Sequence, residues 1–249
     1  MADLLTVEKV TKTFGALRAV DGISFQVGEG EVLGIAGPNG SGKSTLFNAL
    51  TAIPYPANSG RITFCGRRID RLSPHRIARA GIARTFQTET DFETLSVLDN
   101  AMIPLIAAKT GASHGARLRL AEETCALVGL AGDLQRPASE LSIFDRKLLM
   151  LASALALKPK LLLLDEPASG LSRPEVQKTT DVIRQINAMG VTIMLIEHVI
   201  PLLLSVSQRL IVLNFGRKLA EGEPERVVRD PLVVEAYLGA EARDDGAAA

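Results

Sequence analysis

The sequence predicts an α/β fold organised on a parallel sheet, with a phosphate-binding loop at the end of one strand. Three stretches carry that expectation. The first is EVLGIAGPNGSGKST at residues 31–45. Its apolar run, Val32, Leu33, Ile35 and Ala36, lacks the alternation of a half-exposed strand and so reads as buried on both faces. The second is LLLLDEP at 161–167, four leucines that end in two carboxylates, and the third is VTIMLIEH at 191–198. Open α/β sheets bind ligands at the carboxyl ends of such strands, where these polar residues gather.

The loop after the first strand fits G-x-x-x-x-G-K-[ST] from Gly37 to Ser44. Glycines let successive backbone N–H groups turn inward around phosphate oxygens, where a Cβ would block the approach. A helix starting near Lys43 adds the positive end of its dipole. Lys43 can reach the β- and γ-phosphates, and the Ser44 hydroxyl can ligate Mg²⁺. The candidate nucleotide-binding residues are therefore Gly37, Asn39, Gly40, Ser41, Gly42, Lys43, Ser44 and Thr45. The expected ligand is a nucleoside triphosphate with its metal.

Composition sets the outer bounds. A chain of 249 residues with 47% hydrophobic and 22% charged content has ample core for one large α/β domain or two small ones. Its net charge of zero favours no nucleic-acid partner. Cys65 and Cys125 lie far apart without metal spacing and read as buried, reduced thiols, with a single disulfide between them as the alternative. The opening MADLLTVEKV has no basic segment ahead of an apolar one, so no signal peptide is expected. The most apolar stretch, Leu148 to Leu157, is far short of the ~20 residues a spanning helix needs.

Along the chain, LLTVEKV and GISFQV read as strands joined by a loop, KTFGALRAVD. Phe14 falls in that loop, either as an aromatic closing the core or as a ring that stacks on adenine. Ser73-Pro74 opens a short helix within a basic segment, Arg67 to Arg79, that reads as a solvated face. A short strand at Ile82–Phe86 leads to Gln87 and the polar stretch TETDFETLS. Two helices follow between Val97 and Leu130, broken at KTGASHG, with Pro104 expected to kink or end the first. Ser142 is the expected N-cap of LSIFDRKLLMLASALAL, and Ser172-x-x-Glu175 forms a capping box before another helix. A strand pair near 210–220 and helical pieces to Leu238 complete the chain.

Chemistry is expected at three further strand ends. Asp165 is placed to hold Mg²⁺, and Glu166 to act as base or orienting group for a water attacking the γ-phosphate. His198 is either a structural hydrogen-bonder or, at the end of a strand expected to neighbour both the P-loop and the Asp165 strands, a group that can reach the γ-phosphate. Gln87 could orient water or Mg²⁺.

This order of features resembles the nucleotide-binding subunit of ABC transporters over about residues 4–240. The resemblance rests on Phe14, the P-loop, Gln87, the L-S start at Leu141–Ser142, LLLLDEP and His198. It implies a P-loop NTPase (RecA-like) core with an antiparallel β subdomain and a helical subdomain at about 88–158, all in one domain of residues 1–240. Residues 241–249 are expected as a disordered tail. It further implies ATP and Mg²⁺ as cofactors and Phe14 as the ring on adenine. Gln87 becomes the glutamine facing the transmembrane partner, and Asp165 and Glu166 the Mg²⁺ aspartate and catalytic glutamate. Ala168 to Ser172 match the D-loop, and His198 the switch histidine. Within the superfamily, GIARTFQ, VLNFGRKLAEG and DPLVVEAYLG resemble ATPase subunits of branched-chain amino-acid importers. Those work on the cytoplasmic membrane face with permease subunits, a second and different ATPase, and a periplasmic solute-binding protein. Relatives that carry urea, amides or aromatic acids, or that export lipopolysaccharide or lipid, share the overall pattern.

One departure stands out. The family's L-S-G-G-Q signature is LSIFD here, Leu141 to Asp145. Ser142 remains, but Phe144 replaces the second glycine and Asp145 the glutamine. In family dimers that glycine's N–H approaches the γ-phosphate held by the opposite subunit. A Phe side chain crowds the approach, and a carboxylate adds repulsion. The expectation is a P-loop that needs a partner with a better signature.

Overall fold

Strands β1 (Asp3–Phe14) and β2 (Leu17–Gly28) open the computed structural model, antiparallel and joined by a tight turn at Gly15 and Ala16. The structure describes residues 3–87, 91–108 and 111–244. Outside it lie the first three residues of TETDFETLS, the first two of KTGASHG, and the last five of the expected tail.

KTFGALRAVD, expected as a loop, is therefore mostly strand, and Phe14 ends β1 instead of sitting in a connection. The cause is visible in the ladder. Register shifts at Val7/Val10, Val10/Lys12 and Lys12/Thr13 break the two-residue alternation that sequence reading depends on. Lys12 adds to the disguise: it is 8% exposed, with its ammonium donating to the Pro56 carbonyl at 2.9 Å. Nor does Phe14 close the core, since it remains 40% exposed.

Strand β3 (Val32–Ala36) is buried at every position, as its unbroken apolar run requires, and α1 (Lys43–Thr51) follows the P-loop. Next come β4 (Ser59–Phe64), β5 (Arg67–Arg68), α2 (Pro74–Ala80) and β6 (Ile82–Arg84). Helix α3 (Val97–Ala107) starts at Ser96, whose hydroxyl accepts from the Asp99 N–H. Pro104 lies inside α3 without ending it, contrary to an early break. Its missing N–H would have bonded the Asn100 carbonyl, and the Ser153 hydroxyl donates to that oxygen instead, at 3.5 Å. Helices α4 (His114–Leu127) and α5 (Ile143–Ala156) follow, then β7 (Leu161–Asp165) and α6 (Arg173–Ala188). The chain ends with β8 (Thr192–Ile196), α7 (Ile200–Val206), β9 (Arg209–Asn214), β10 (Arg217–Gly222), α8 (Pro224–Val227) and α9 (Pro231–Asp244). Helix α9 carries helical backbone into the first four residues of the expected tail.

Two compact units emerge. Met1–Ala80 with Thr192–Ala249 form the first, and Gly81–Val191 the second. The first holds an antiparallel sheet ordered β2-β1-β4-β5, and the strand order β10-β9-β3-β8 in which β3 runs parallel to both β8 and β9. The second pairs β6 with β7 in parallel and packs α3, α4 and α5 on one another. Leu105, Ala121, Leu149 and Ala152 are buried among these helices. Cys65 and Cys125 are both free, as expected, but Cys65 is exposed. Burial pushes the Cys125 thiol up to about 11.

Candidate functional site

In the first unit the candidate residues collect where β3 ends. Parallel neighbours flank this strand, so the chain leaves the sheet at Gly37 in a crowded place. Gly37 takes φ 143°, and a Cβ there would lie 2.1 Å from the Leu213 carbonyl oxygen. Gly42 takes φ 103°, and its Cβ would lie 2.2 Å from the Ala19 carbonyl oxygen. Backbone direction and space both demand glycine at these two positions. Lys43 is 5% exposed, and its ammonium donates to the carbonyl oxygens of Gly37 at 2.7 Å and Pro38 at 2.9 Å. Ser41 is 2% exposed, and its hydroxyl finds no partner among the described residues. Helix α1 starts at Lys43 with Gly42 as N-cap, without a side-chain cap bond or an acidic residue in its first turn. Asn39 and Gly40 lie exposed at the lip, and Ser44 and Thr45 are half-buried in the first turn.

A buried cation within reach of the loop, an orphaned hydroxyl and a helix start with no acidic residue in its first turn all favour a bound polyanion. The residues present fit a triphosphate.

His198 belongs to the same unit. It follows β8, whose Ile196 pairs with Ile35 of β3, so the histidine and the P-loop leave the sheet at the same end. The Glu197 carboxylate, 1% exposed, accepts from the N–H groups of His198 at 3.1 Å and Val199 at 3.3 Å, and leaves His198 exposed. The Phe14 ring meets Tyr55 edge-on at 5.4 Å between centroids, with the Lys12 ammonium 5.2 Å from the Phe14 ring centre. Tyr55, absent from the sequence-based candidates, doubles this exposed aromatic surface. Its distance in sequence from Phe14 hid the pairing.

In the second unit, β7 delivers Asp165 and Glu166 as expected, and β6 sets their surroundings. Arg84 ends β6 and donates from Nη2 to the Asp165 carboxylate at 2.7 Å, the two side chains 6% and 2% exposed. Burial pulls the Arg84 guanidinium below its usual range, and Asp165 pulls it back up. Sequence reading had missed Arg84. A charged residue inside the apolar run IARTF was the available signal, but nothing local named its partner. Glu166, 7% exposed, sits at φ 51°, a conformation that costs a non-glycine residue about 1–3 kcal/mol. Its carboxylate accepts from the Gln87 side-chain amide at 2.7 Å. Two candidates read separately from sequence are thus in direct contact.

Ser142 caps α5: its hydroxyl accepts from the Asp145 N–H at 3.1 Å and donates to the Asp145 carboxylate at 2.7 Å. Phe144 is half-buried, with the Lys178 ammonium 5.8 Å from its ring centre. After Glu166 the chain turns at Ala168, 2% exposed, and reaches Ser172, whose N–H donates to the Glu175 carboxylate at 2.8 Å to start α6.

The fold and the loop around Lys43 define a P-loop nucleotide-binding protein. Comparison with known proteins narrows this. Residues 20–169 match the ABC transporter family, and residues 217–243 match the branched-chain amino acid ATP-binding cassette transporter family. The high-affinity branched-chain amino acid transport ATP-binding protein LivG of Salmonella typhimurium is 36% identical, across 95% of this chain and 98% of its own. An ATP-binding cassette of an ABC transporter, solved in its ADP conformation, superposes with a TM-score of 0.89 at 33% identity, covering 96% of this chain and all of the other. A dimeric ATP-binding cassette bound to ADP and Pi gives 0.80 at 25% identity, over 88% of this chain and 98% of the other. The chain belongs to the ABC transporter ATP-binding family and is an ATPase of that class. Among its described residues no helix is long and apolar enough to cross a membrane.

Proposed function

We propose that this chain energises a membrane importer for branched-chain or related amino acids. It binds the cytoplasmic face of the inner membrane through transmembrane permease subunits, which receive solute from a periplasmic binding protein. The observation that supports the solute class is the C-terminal match at 217–243, joined to near full-length similarity to LivG.

The residue roles follow their chemistry. Lys43 exchanges the Gly37 and Pro38 carbonyls for the β- and γ-phosphates of ATP, a stronger, charge-assisted set of partners. Asn39, Gly40, Ser41, Gly42 and Thr45 present N–H groups to the phosphates, Gly37 gives the loop the sharp exit from β3 that brings them there, and Phe14 offers its exposed ring to the adenine. Ser44, Asp165 and Gln87 are the residues that would hold Mg²⁺ together with water, and the ion would supply charge neutralisation at the phosphates. Arg84 holds the Asp165 carboxylate in place. Glu166 takes a proton from the attacking water, Gln87 keeps its carboxylate oriented, and His198 bonds a γ-phosphate oxygen.

Hydrolysis requires a partner ATPase. In a nucleotide-sandwich dimer each ATP lies between one subunit's P-loop and the other's signature. In this chain Asp145 occupies the Ser142 hydroxyl with its own carboxylate, so a phosphate brought to Ser142 meets a fixed negative charge. A different subunit with an intact signature therefore completes this chain's P-loop, and a homodimer turns over slowly. The test is steady-state ATP hydrolysis by the isolated chain, with and without Phe144→Gly plus Asp145→Gln. The double variant should be at least about tenfold faster, in line with removing one repulsive contact of ~1.4 kcal/mol. Equal, fast turnover by both would overturn the partner requirement.

A further inference from the structure

The C-terminal segment DPLVVEAYLG has no part in the P-loop chemistry so far, yet one of its side chains reaches the loop. Tyr237, half-buried on α9, accepts a hydrogen bond at 2.7 Å through its hydroxyl oxygen from the Gly37 N–H, 200 residues away in sequence. Val233, one turn earlier and 3% exposed, packs the helix down. Gly37 is the first residue past β3, and its amide is buried. The β3 ladder ends at Ala36, which pairs with Val212, so the next N–H needs a partner from outside the sheet. The phenol provides it.

We propose that Tyr237 is a positioning residue of the nucleotide site. It fixes the hinge at Gly37 so that Lys43 can leave the loop's carbonyls for phosphate without the loop collapsing or drifting.

Gly37 is held at both ends, its N–H by Tyr237 and its carbonyl by the Lys43 ammonium at 2.7 Å. ATP binding loosens the second restraint, because the three N–H donors of Lys43 cannot serve both carbonyls and two phosphate oxygens at once. The Tyr237 bond is the anchor that does not compete with the ligand. Without it Gly37 has a buried, unsatisfied donor and a hinge free to move, and ATP must order both. Burial raises the phenol above its ordinary range, with the Gly37 N–H a smaller opposing influence. The hydroxyl therefore stays neutral and keeps a lone pair for Gly37 throughout physiological pH. The segment 217–243 that matches the branched-chain amino acid cassette family includes this tyrosine, so α9 becomes part of the nucleotide machinery rather than an appendage.

The test is Tyr237→Phe, which keeps the ring and deletes the oxygen. Wild type is first shown to bind MgATP. The variant should bind MgATP about fivefold more weakly, the effect of one lost hydrogen bond, with KM rising in parallel and kcat within twofold. Its melting temperature should fall by no more than about 2–4 °C, the effect of one lost hydrogen bond. Unchanged affinity, with or without a lower melting temperature, would reduce Tyr237 to a packing residue and overturn the proposal. A second measurement needs no variant. By linkage, MgATP should slow amide hydrogen exchange in residues 231–238 of the wild-type chain. Exchange there that ignores saturating MgATP would also overturn it.

Discussion

Helix α1 begins at Gly42, which has no side chain to offer its N-terminal amides and is followed by no acid in the first turn. Helix α5 begins at Ser142, whose hydroxyl accepts from the Asp145 N–H at 3.1 Å while donating to the Asp145 carboxylate at 2.7 Å. Both are helix N-termini with exposed or half-exposed residues, yet their electrostatics are opposite. The α1 end is cationic, with Lys43 buried beside it, and has no acidic residue in its first turn. The α5 end already carries one. A helix start attracts whichever negative group is nearest, and a covalently attached carboxylate is always nearer than a ligand. One chain therefore carries two helix starts of opposite character, and the proposed partner requirement rests on that contrast.

Each substitution that separates the two ends tests this contrast. Lys43→Ala removes the buried cation and should cost the largest amount, at least about 100-fold in ATP turnover together with most of the binding. Turnover within a few-fold of wild type would place the nucleotide elsewhere. Glu166→Gln keeps a side chain that can still bond Gln87 but cannot take a proton. Turnover should fall roughly 100-fold while ATP binding is retained, as filter binding would show. Retained activity would mean Glu166 is not the base. At the other helix, Ser142→Ala should act mainly on stability. Loss of an N-cap costs about 1 kcal/mol, which lowers the melting temperature by roughly 2–4 °C in a domain of this size. A melting temperature that does not move would show that the cap adds nothing, and would weaken the view of α5 as a helix that neutralises itself.

The elements that carry the site were legible where local pattern decides structure. The unbroken apolar runs of β3, β7 and β8 correspond to strands buried at every position, and the Ser142 cap and the Ser172/Glu175 pairing are present as read. Failures occurred where the pattern was interrupted. The bulged register of β1 and β2, with a buried lysine near its end, turned strand into apparent loop and moved Phe14 off its expected place. Pro104 suggested a break, but a hydroxyl from α5 compensates the carbonyl it leaves without a donor.

The sequence by itself determined that there is a P-loop, which glycines shape it, that two carboxylates end a buried strand, and that Ser142 caps the helix that begins at LSIFD. All of these are set by residues within a few positions of one another, where spacing and steric demand are written into neighbouring letters. The tertiary structure decided which distant groups hold them. Gln87 lies on Glu166, Arg84 on Asp165 and Tyr237 on Gly37, across 79, 81 and 200 residues of chain. A hydrogen bond across such a separation has no periodicity to betray it, because only the folded path of the strands brings donor and acceptor within 3 Å.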